Sequence, residues 1–363
     1  MERNRTHIPQ PSPVGRDFTA LLAIIAIGIA LPFFVESRYF LSQLTLFLIW
    51  ATVVSQWNIV MGFAGIFSLA QVALFAFGGY FTAILGRYFG FNLAIGTVIA
   101  GFATVGVSVI IGFACLRLRG IYVALLTFAI TQTVVLLVNS DTACIIGTGA
   151  TCQTLTGGQR GLSQFGDYGF RELLGRDYQI GNFYVALATM ALAIGLSILI
   201  VRGPLGYAFR ALRDNEAVAV SFGINRYKYQ LLVFAVSAFV TGIAGGVYAA
   251  HFKVVGPSIL GFPVMAFLVS MLVVGGLGKL WGPIVGAALL MLIDEQLKDF
   301  AEYRNMGLGI LIVFFIVLAP DGIVGMFEKF WQVLRNRQVN RKDNKSAGRF
   351  AGKIETLRKH EGN

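Results

Sequence analysis

Long apolar runs separated by short polar stretches make up most of the chain. Their length matches the ~20 residues that an α-helix needs to cross a bilayer, whereas a transmembrane β-barrel would show alternating segments of ~10 residues. The first run has no small-residue cleavage site behind it, so we expect it to stay attached as a helix. The pattern predicts about ten membrane-crossing helices, near residues 18–35, 39–61, 67–86, 93–116, 121–139, 182–201, 229–249, 264–279, 282–297 and 306–320.

The composition supports this fold class. Hydrophobic residues make up 56% of the chain and charged residues only 13%, which is about half the charged fraction of an ordinary soluble domain. The mean hydropathy is +0.73. We therefore predict an all-α integral membrane protein. The net charge of +11 is explained by the excess of Lys and Arg in the cytoplasmic loops of membrane proteins, and we expect no nucleic-acid partner.

Lys and Arg are concentrated in every second loop. Their clusters lie at residues 3–16, 117–119, 202–228 and after residue 320. Because this bias sets orientation, we predict that both chain termini are cytoplasmic. The predicted parts are a cytoplasmic N-terminus, a transmembrane domain and a polar, disordered cytoplasmic tail, over residues 1–17, 18–330 and 331–363.

Two of the apolar runs are rich in glycine, at residues 62–80 and 273–287. Glycine and proline interrupt membrane helices, and an interrupted helix is tolerated where it is packed in protein or lines a wet cavity. The alternative is close helix packing through small residues, and the two interpretations are compatible. As candidates for a translocation pathway we single out Gly62, Gly65, Gly275 and Gly276.

Amide and hydroxyl side chains inside the predicted spans are further pathway candidates. They are costly in a membrane unless paired, so they tend to face the interior of a helix bundle. A plain hydrogen bond between helices is the alternative for each. The only acidic residues well inside a span are Asp294 and Glu295, which disfavours a proton-coupled carrier. The candidates are Gln56, Asn58, Ser68, Gln71 and Gln132.

The longest loop on the predicted outer side covers residues 140–181, and its Gly, Ser, Thr and Asp content is typical of an ordered loop with several turns. Cys144 and Cys152 lie in it, and they would form a disulfide only if that side is oxidising and their geometry allows it. Cys115 lies in a predicted span and is expected in the core.

A basic island at residues 202–228 interrupts the apolar pattern. It predicts two short helices joined at an elbow, because Asp214 or Asn215 suits an N-cap and Gly223 suits a helix end. The first helix places an apolar face beside a charged one, and Val218 and Phe222 give the second an apolar edge. Such a segment either lies on lipid headgroups or docks a cytoplasmic partner. The docking candidates are Leu205, Phe209, Arg210, Leu212, Arg213, Asp214 and Glu216.

Five motifs in order resemble one family over nearly the whole chain up to about residue 330. They are GFAGIFSLAQVALFAFGGY, TGGQRGL, PLGYAFRALRDNEAVAVSFGIN, GGLGKLWGPIVGA and LAPDGIVG, at residues 62–80, 156–162, 204–225, 275–287 and 318–325. The chain resembles the LivM-type permease subunits of ABC importers for branched-chain amino acids, including their urea and short-amide relatives. The resemblance implies the ABC importer permease fold and a multi-pass protein of the bacterial inner membrane.

The resemblance also implies roles for particular residues. The island is similar to the loop that docks on the ATPase, with Glu216, Ala217 and Gly223 as the equivalents, although the Glu-to-Gly spacing is one residue longer than usual. Three residues depart from the common family pattern, namely Gln71, Arg160 and Lys279, so the ordinary branched-chain substrate does not follow automatically. An extracytoplasmic substrate-binding protein is expected to touch the TGGQRGL loop at Thr156, Gly157, Gly158 and Gly161.

The implied function is amino-acid import driven by two separate ABC ATPase subunits, with a homologous second permease subunit. The chain itself has no P-loop, nucleophile elbow or HExxH helix, so we expect no enzymatic activity and no cofactor in it, with ATP and Mg²⁺ on the ATPases. Its three histidines are too scattered to predict a metal site. The alternatives are a urea, nucleoside or sugar ABC permease, an ATP-independent facilitator, and a membrane enzyme.

Overall fold

The computed structural model describes residues 14–35, 37–115, 117–118, 120–143, 154–298, 306–307, 309–310, 313 and 322–329. The described residues are mostly helical. Its helices are α1 (Val14–Phe34), α2 (Arg38–Asn58), α3 (Gln71–Phe89), α4 (Leu93–Cys115), α5 (Ile121–Asn139), α6 (Phe170–Leu174), α7 (Tyr178–Arg202), α8 (Pro204–Asp214), α9 (Glu216–Ser221), α10 (Arg226–Phe252), α11 (Phe262–Gly275) and α12 (Gly282–Leu297).

Shorter elements complete the described residues. A π-helical turn, Ile59–Phe63, extends α2. Two-residue strands β1 (Leu162–Ser163) and β2 (Val254–Val255) pair in antiparallel fashion, with Leu162 opposite Val255. Three short 3₁₀ turns lie in the loops, at Gly158–Arg160, Gly175–Asp177 and Pro257–Leu260.

Seven helices in the described part of the chain are long and apolar enough to cross a membrane, namely α1, α2 with its π-turn, α3, α4, α5, α7 and α10. All seven match predicted spans. Helices α11 and α12 have only 14 and 16 residues, fewer than the ~20 that a full crossing needs. The tenth predicted span, residues 306–320, falls largely outside the described residues. The predicted count of about ten crossings is therefore not confirmed.

Helix α10 lies at the centre of the bundle and packs against α2, α3, α4 and α7. Glycines allow this close packing: a Cβ on Gly78 would lie 2.3 Å from the carbonyl oxygen of Gly242, and one on Gly245 would lie 2.0 Å from that of Phe75. Small residues at helix crossings let backbones approach in a membrane, where apolar side chains gain little from leaving lipid. The late part of the first glycine-rich run therefore serves helix packing.

The contacts between loops divide the bundle into two ends. At the α8 end, which carries α8 and α9, Arg202 binds Asp17 and Lys279 binds Glu328. At the sheet end, which carries β1 and β2, Lys253 binds Asp167 at 3.1 Å. The first and last described segments both lie at the α8 end. This division agrees with the alternation of loops that the charge pattern predicts.

Candidate functional site

The first glycine break separates α2 from α3 at the α8 end. After the π-turn the chain runs without helix from Ala64 to Leu69, and α3 begins at Gln71, four residues later than predicted. Side chains satisfy this backbone: Trp57 Nε1 donates to the Ser68 carbonyl oxygen at 2.8 Å, and Thr127 Oγ1 accepts from the Leu69 N–H at 2.9 Å. Non-helical backbone at membrane depth needs such partners within the protein.

The second glycine break is the loop of residues 276–281, which joins α11 to α12. Gly276 and Gly278 have φ of 113° and 73°, which favours glycine because other residues are strained there. A Cβ on Gly275 would lie 2.0 Å from the Gly282 carbonyl oxygen. The two helices therefore form a tight hairpin that depends on glycine at Gly275, Gly276 and Gly278.

Asn58 joins the two breaks. Its Nδ2 donates to the Lys279 carbonyl oxygen at 2.8 Å, and its Oδ1 accepts from the Gly278 N–H at 2.9 Å. The residue is 2% exposed. Gly62 makes room for this contact, because a Cβ there would lie 2.2 Å from Asn58 Oδ1 and 2.4 Å from the Gly278 nitrogen. The predicted candidates Asn58, Gly62, Gly275 and Gly276 thus meet in one place.

Arg213 ties α8 to the same place. One guanidinium nitrogen donates to the Gly62 carbonyl oxygen at 2.8 Å, and the other side of the group binds Asp214 at 3.0 Å. The aliphatic part of the side chain lies on Gly65, where a Cβ would be 2.4 Å from Arg213 Cγ. Gly65 also has a φ of 70°. The basic island and the first glycine break are therefore in direct contact.

The two-helix elbow of the island has the predicted form. Pro204 occupies the first turn of α8, where its fixed φ suits a helix start. Asn215 ends α8 and caps α9, since its Oδ1 accepts from the Val218 N–H at 3.1 Å. Gly223 follows α9 with a φ of 86°. Asn225 caps α10 in the same way, accepting from the Lys228 N–H at 3.2 Å.

The apolar face of α8 covers the bundle itself. Phe209 is 2% exposed and lies in a core cluster that includes Ile59 and Phe234, and Leu212 is 7% exposed. Leu205 packs against that cluster and is partly buried. The apolar face of α8 is therefore covered by the protein's own helices.

The charged residues of the island also bind within the chain. Arg210 donates to the carbonyl oxygens of Gly206 and Val201, at 3.0 and 2.9 Å. Glu216 pairs with Arg226 at 3.1 Å, and Arg226 donates to the Leu118 carbonyl oxygen at 3.2 Å. Arg210, Arg213 and Glu216 thus stabilise the elbow. Their part in docking stays a prediction.

The surface that remains open on the elbow is mainly apolar. Phe222 is 82% exposed, Tyr207 is 58% exposed, and Val218 and Val220 are each 49% exposed. Ala217, Asp214 and Gly223 are also exposed on the elbow. We call Tyr207, Val218, Val220 and Phe222 the elbow patch. The sequence predicted an apolar edge from Val218 and Phe222, which lie one helical turn apart. It gave no indication that Tyr207 and Val220 would be exposed.

A polar pocket lies between the elbow and the first break. Its volume is about 240 Å³, and it opens at the α8 end. Its walls come from the non-helical stretch after the π-turn, the α4–α5 loop, the elbow and the start of α10. They include Gly65, Phe67, Leu118, Arg213, Glu216, Arg226 and Gln230. Two contacts bridge the walls of the pocket. Arg213 joins the elbow to the first glycine break, and the Glu216–Arg226 ion pair joins the elbow to α10.

The other amide candidates make hydrogen bonds inside the bundle. Gln71 Nε2 donates to Ser237 Oγ at 2.8 Å and to Thr241. Gln56 Nε2 donates to the Ala193 carbonyl oxygen at 3.0 Å. Both residues, like Ser68, are at most 3% exposed. Gln132 is partly buried, and its Nε2 has no partner among the described residues. A role in the pathway for these four residues, and for Asn58, stays a prediction.

The TGGQRGL loop is held firmly at the sheet end. The N–H and hydroxyl of Thr156 both donate to Asp141 Oδ2 at 2.6 Å. Gly157 and Gly161 have φ of 78° and 75°, and a Cβ on Gly161 would lie 2.4 Å from the Val255 carbonyl oxygen. Gly158 is buried against the Asp141 carbonyl oxygen. The loop is thereby fixed to α5 on one side and to β2 on the other.

Asp167 makes a second tie at this end. It accepts from the Gly169 N–H at 2.9 Å and from Lys253 Nζ at 3.1 Å. The bond from Gly169, together with the Lys253 ammonium, lowers the pKa of the Asp167 carboxyl below its usual value. The carboxylate therefore stays charged while it holds α10 to the loop.

Of the three cysteines, only Cys115 lies within the described residues. Cys144 and Cys152 lie outside the described residues, so their pairing is untested. Cys115 is a buried free thiol in α4, as predicted. Within the described part of the chain, no group of His, Cys, Asp or Glu side chains could hold a metal ion.

Comparison with known proteins gives a consistent match. Residues 39–318 match the family described as "Branched-chain amino acid transport system / permease component". The chain is 31% identical over 328 residues to the high-affinity branched-chain amino acid transport system permease protein LivM of Salmonella typhimurium, covering 84% of this chain and 74% of that protein. LivM of Escherichia coli K12 is 30% identical with the same coverage.

A more distant relative is the permease protein LivH of the high-affinity branched-chain amino acid transport system of Escherichia coli K12. It is 26% identical over 155 residues, covering 40% of this chain and 50% of LivH. No solved structure matches the chain.

Proposed function

The chain belongs to the permease family of branched-chain amino acid transport systems, and from that premise we propose that it is the membrane-spanning subunit of an ABC importer for branched-chain or other amino acids. Two separate ABC ATPases supply the energy and bind ATP and Mg²⁺. The chain itself carries out no chemical reaction. The α8 end faces the cytoplasm of a bacterial cell, in the inner membrane, and the sheet end faces outward.

The observation that carries this proposal is the elbow of α8 and α9. It has an inner face packed on the bundle and a charged residue, Arg213, bound to the first glycine break. Its outer face is the exposed elbow patch. An element that is firmly attached within and apolar outside fits a docking site that conveys force to the membrane helices.

The centre of the docking face is the elbow patch. Aromatic residues supply much of the binding energy at protein interfaces, and Phe222 and Tyr207 are both exposed. Asp214 is exposed at the margin and supplies polar contact. The ATPase is therefore the partner that covers Phe222.

Transport follows from movement of packed helices between two arrangements. A homologous permease subunit forms the other wall of the pathway, since this chain is similar to both a LivM and a LivH permease protein. A substrate-binding protein delivers cargo at the sheet end, where the TGGQRGL loop presents a surface fixed by Asp141 and β2. Specificity among amino acids, urea and other small molecules then lies largely with the binding protein.

The experiment that tests the assembly is affinity purification of the tagged protein in mild detergent, followed by mass spectrometry of its companions. We expect P-loop ATPases and a second, homologous permease. Recovery of the chain alone, still transporting after reconstitution without ATP, would contradict the proposal and favour an ATP-independent facilitator.

A further inference from the structure

The two glycine breaks and α8 meet through two polar side chains, Arg213 and Asn58. We propose that these are positioning residues that transmit movement of α8 to both glycine breaks. The inference rests on the proposed function, because α8 moves in this way only when an ATPase acts on the elbow.

The first step in the link runs from α8 to the end of α2. Arg213 donates a charged hydrogen bond to the Gly62 carbonyl oxygen at 2.8 Å, and bonds from charged donors are stronger than neutral ones. Its aliphatic part rests on Gly65, which has no side chain to keep it away. Displacement of α8 must therefore either pull the π-turn or break this bond.

The second step runs from the π-turn to loop 276–281. Asn58 is buried, and both halves of its amide are engaged by Gly278 and Lys279. Separation of the two segments would leave a buried amide and two backbone groups without partners, which is costly in a membrane interior. The two breaks therefore move together.

The third step distributes the movement beyond loop 276–281. Lys279 binds Glu328, and Trp281 Nε1 donates to Asp17 at 3.4 Å. A Cβ on Gly322 would lie 2.3 Å from Gly276 Cα, so the segment 322–329 is packed on the loop at its first residue. Close packing of this kind transmits displacement rather than absorbing it. Loop 276–281 thus connects the elbow to α1, to α11 and α12, and to residues 322–329.

Arg213 also had another interpretation, as a polar contact for the ATPase. The two roles predict different defects. A docking residue loses the ATPase when it is changed, whereas a positioning residue keeps the ATPase but loses the connection between hydrolysis and transport.

The test uses the whole transporter complex, purified and reconstituted into liposomes. Retention of the ATPases, ATP hydrolysis and uptake of radiolabelled leucine, isoleucine and valine are measured on the same samples. The variants are Arg213→Met, Asn58→Leu and the double variant, with Arg213→Lys as the conservative replacement. Lys228→Met is the matched control, because it removes one exposed positive charge at the same end.

We expect Arg213→Met to retain the ATPases and hydrolyse ATP while uptake per ATP falls about tenfold, the loss appropriate to one charged hydrogen bond. Asn58→Leu should show the same defect, and the double variant should be little worse than either, because both changes break one path. Arg213→Lys should restore part of the uptake, and Lys228→Met should behave as wild type.

Three results would overturn the inference. Uptake per ATP in Arg213→Met equal to that of Lys228→Met would show that Arg213 is not needed. Loss of the ATPases would make Arg213 a docking residue, and multiplied defects in the double variant would make the two residues independent. If Arg213→Met does not insert, Asn58→Leu and Arg213→Lys decide by the same readout. A wild-type complex without ATP-driven uptake would remove the proposed function, and the inference with it.

Discussion

Single buried polar residues hold the backbone of this protein where its helices are interrupted. Asn58 bonds two backbone groups of loop 276–281, and Trp57 bonds the Ser68 carbonyl oxygen. In a bilayer no water can replace such partners. The residue types at these positions are therefore set by backbone groups that belong to other segments of the chain.

The sequence could predict that such amides are buried, but not what they bind. Asn58, Gln56 and Gln71 stand out as costly residues in apolar runs, and the structure buries all three. Their partners lie far away along the chain, as in the pairing of Asn58 with Gly278. A distance of that kind is fixed by how helices pack, which periodicity does not reveal.

Replacing Gly62 by alanine should destabilise the protein. A Cβ there would lie 2.4 Å from the Gly278 backbone nitrogen, and overpacking of this kind costs about 1–3 kcal/mol. The thermal midpoint of the purified protein in detergent should fall. Gly106→Ala is the matched control, because a Cβ at that position in α4 meets nothing within 4 Å. Equal midpoints for the two variants would contradict the close approach.

The tie between Asp167 and Lys253 should make the sheet end sensitive to acid. The pKa of Asp167 is lowered in the folded protein, so its contribution to stability is full above the unfolded pKa of about 3.9 and is lost as the pH falls through the lower folded value. Between about pH 6 and about pH 3, the thermal midpoint should fall more for wild type than for Asp167→Asn. Parallel curves for the two proteins would count against this tie.

At the scale of elements, the elbow shows what a sequence pattern can and cannot establish. Asn215 and Gly223 mark the ends of α9 in the sequence, and the structure has a helix there, Glu216–Ser221. The sequence also predicted the apolar face of α8. It could not predict what that face packs against, because lipid, another protein and the protein's own core all favour the same apolar residues. The structure buries Phe209 and Leu212 and leaves Phe222 exposed.

Whether an apolar run crosses the membrane was harder to predict for the same reason. The runs at residues 264–279 and 282–297 resemble spans in composition, and the second coincides with α12, yet α11 ends at Gly275 and the two helices have only 14 and 16 residues. Glycines at 275, 276 and 278 turn the chain early. The pattern of apolar residues alone does not distinguish a full crossing from a tight helical hairpin.

The N-cap of α9 should be needed for the elbow to present its patch. Replacing Asn215 by alanine removes the acceptor for the Val218 N–H and should cost about 1 kcal/mol. We expect weaker retention of the ATPases during purification. Asn215→Asp keeps the acceptor and should retain them as wild type does. Equal losses in both variants would show that the cap is not what matters.

The exposed aromatic residue of the elbow patch should carry much of the docking energy. Replacing Phe222, which is 82% exposed, by aspartate should reduce ATPase retention at least tenfold, as a change of about 2 kcal/mol at an interface hot spot requires. The variant should still insert, because the side chain is not part of the core. Tyr227→Asp is the control, since Tyr227 is 58% exposed at the same end. Normal retention by Phe222→Asp would exclude the patch as the docking face.

At the scale of the whole molecule, the two ends have different constructions. The sheet end is fixed by β1 and β2 and by the ties of Asp141 and Asp167. The α8 end gathers the first glycine break, the elbow and residues 322–329 around loop 276–281, which is the second break. The charge pattern predicts this division into ends, because the division depends only on the order of apolar runs and basic loops along the chain. The contacts within the α8 end depend on the packed structure.

The measurement that tests the central claim most directly is uptake by the purified complex in liposomes, with radiolabelled leucine, isoleucine, valine and urea offered in turn, with and without ATP and Mg²⁺. The account predicts uptake that requires ATP, requires the separate ATPase subunits and favours amino acids. Uptake of the same size without ATP, or by this chain without the ATPases, would contradict it.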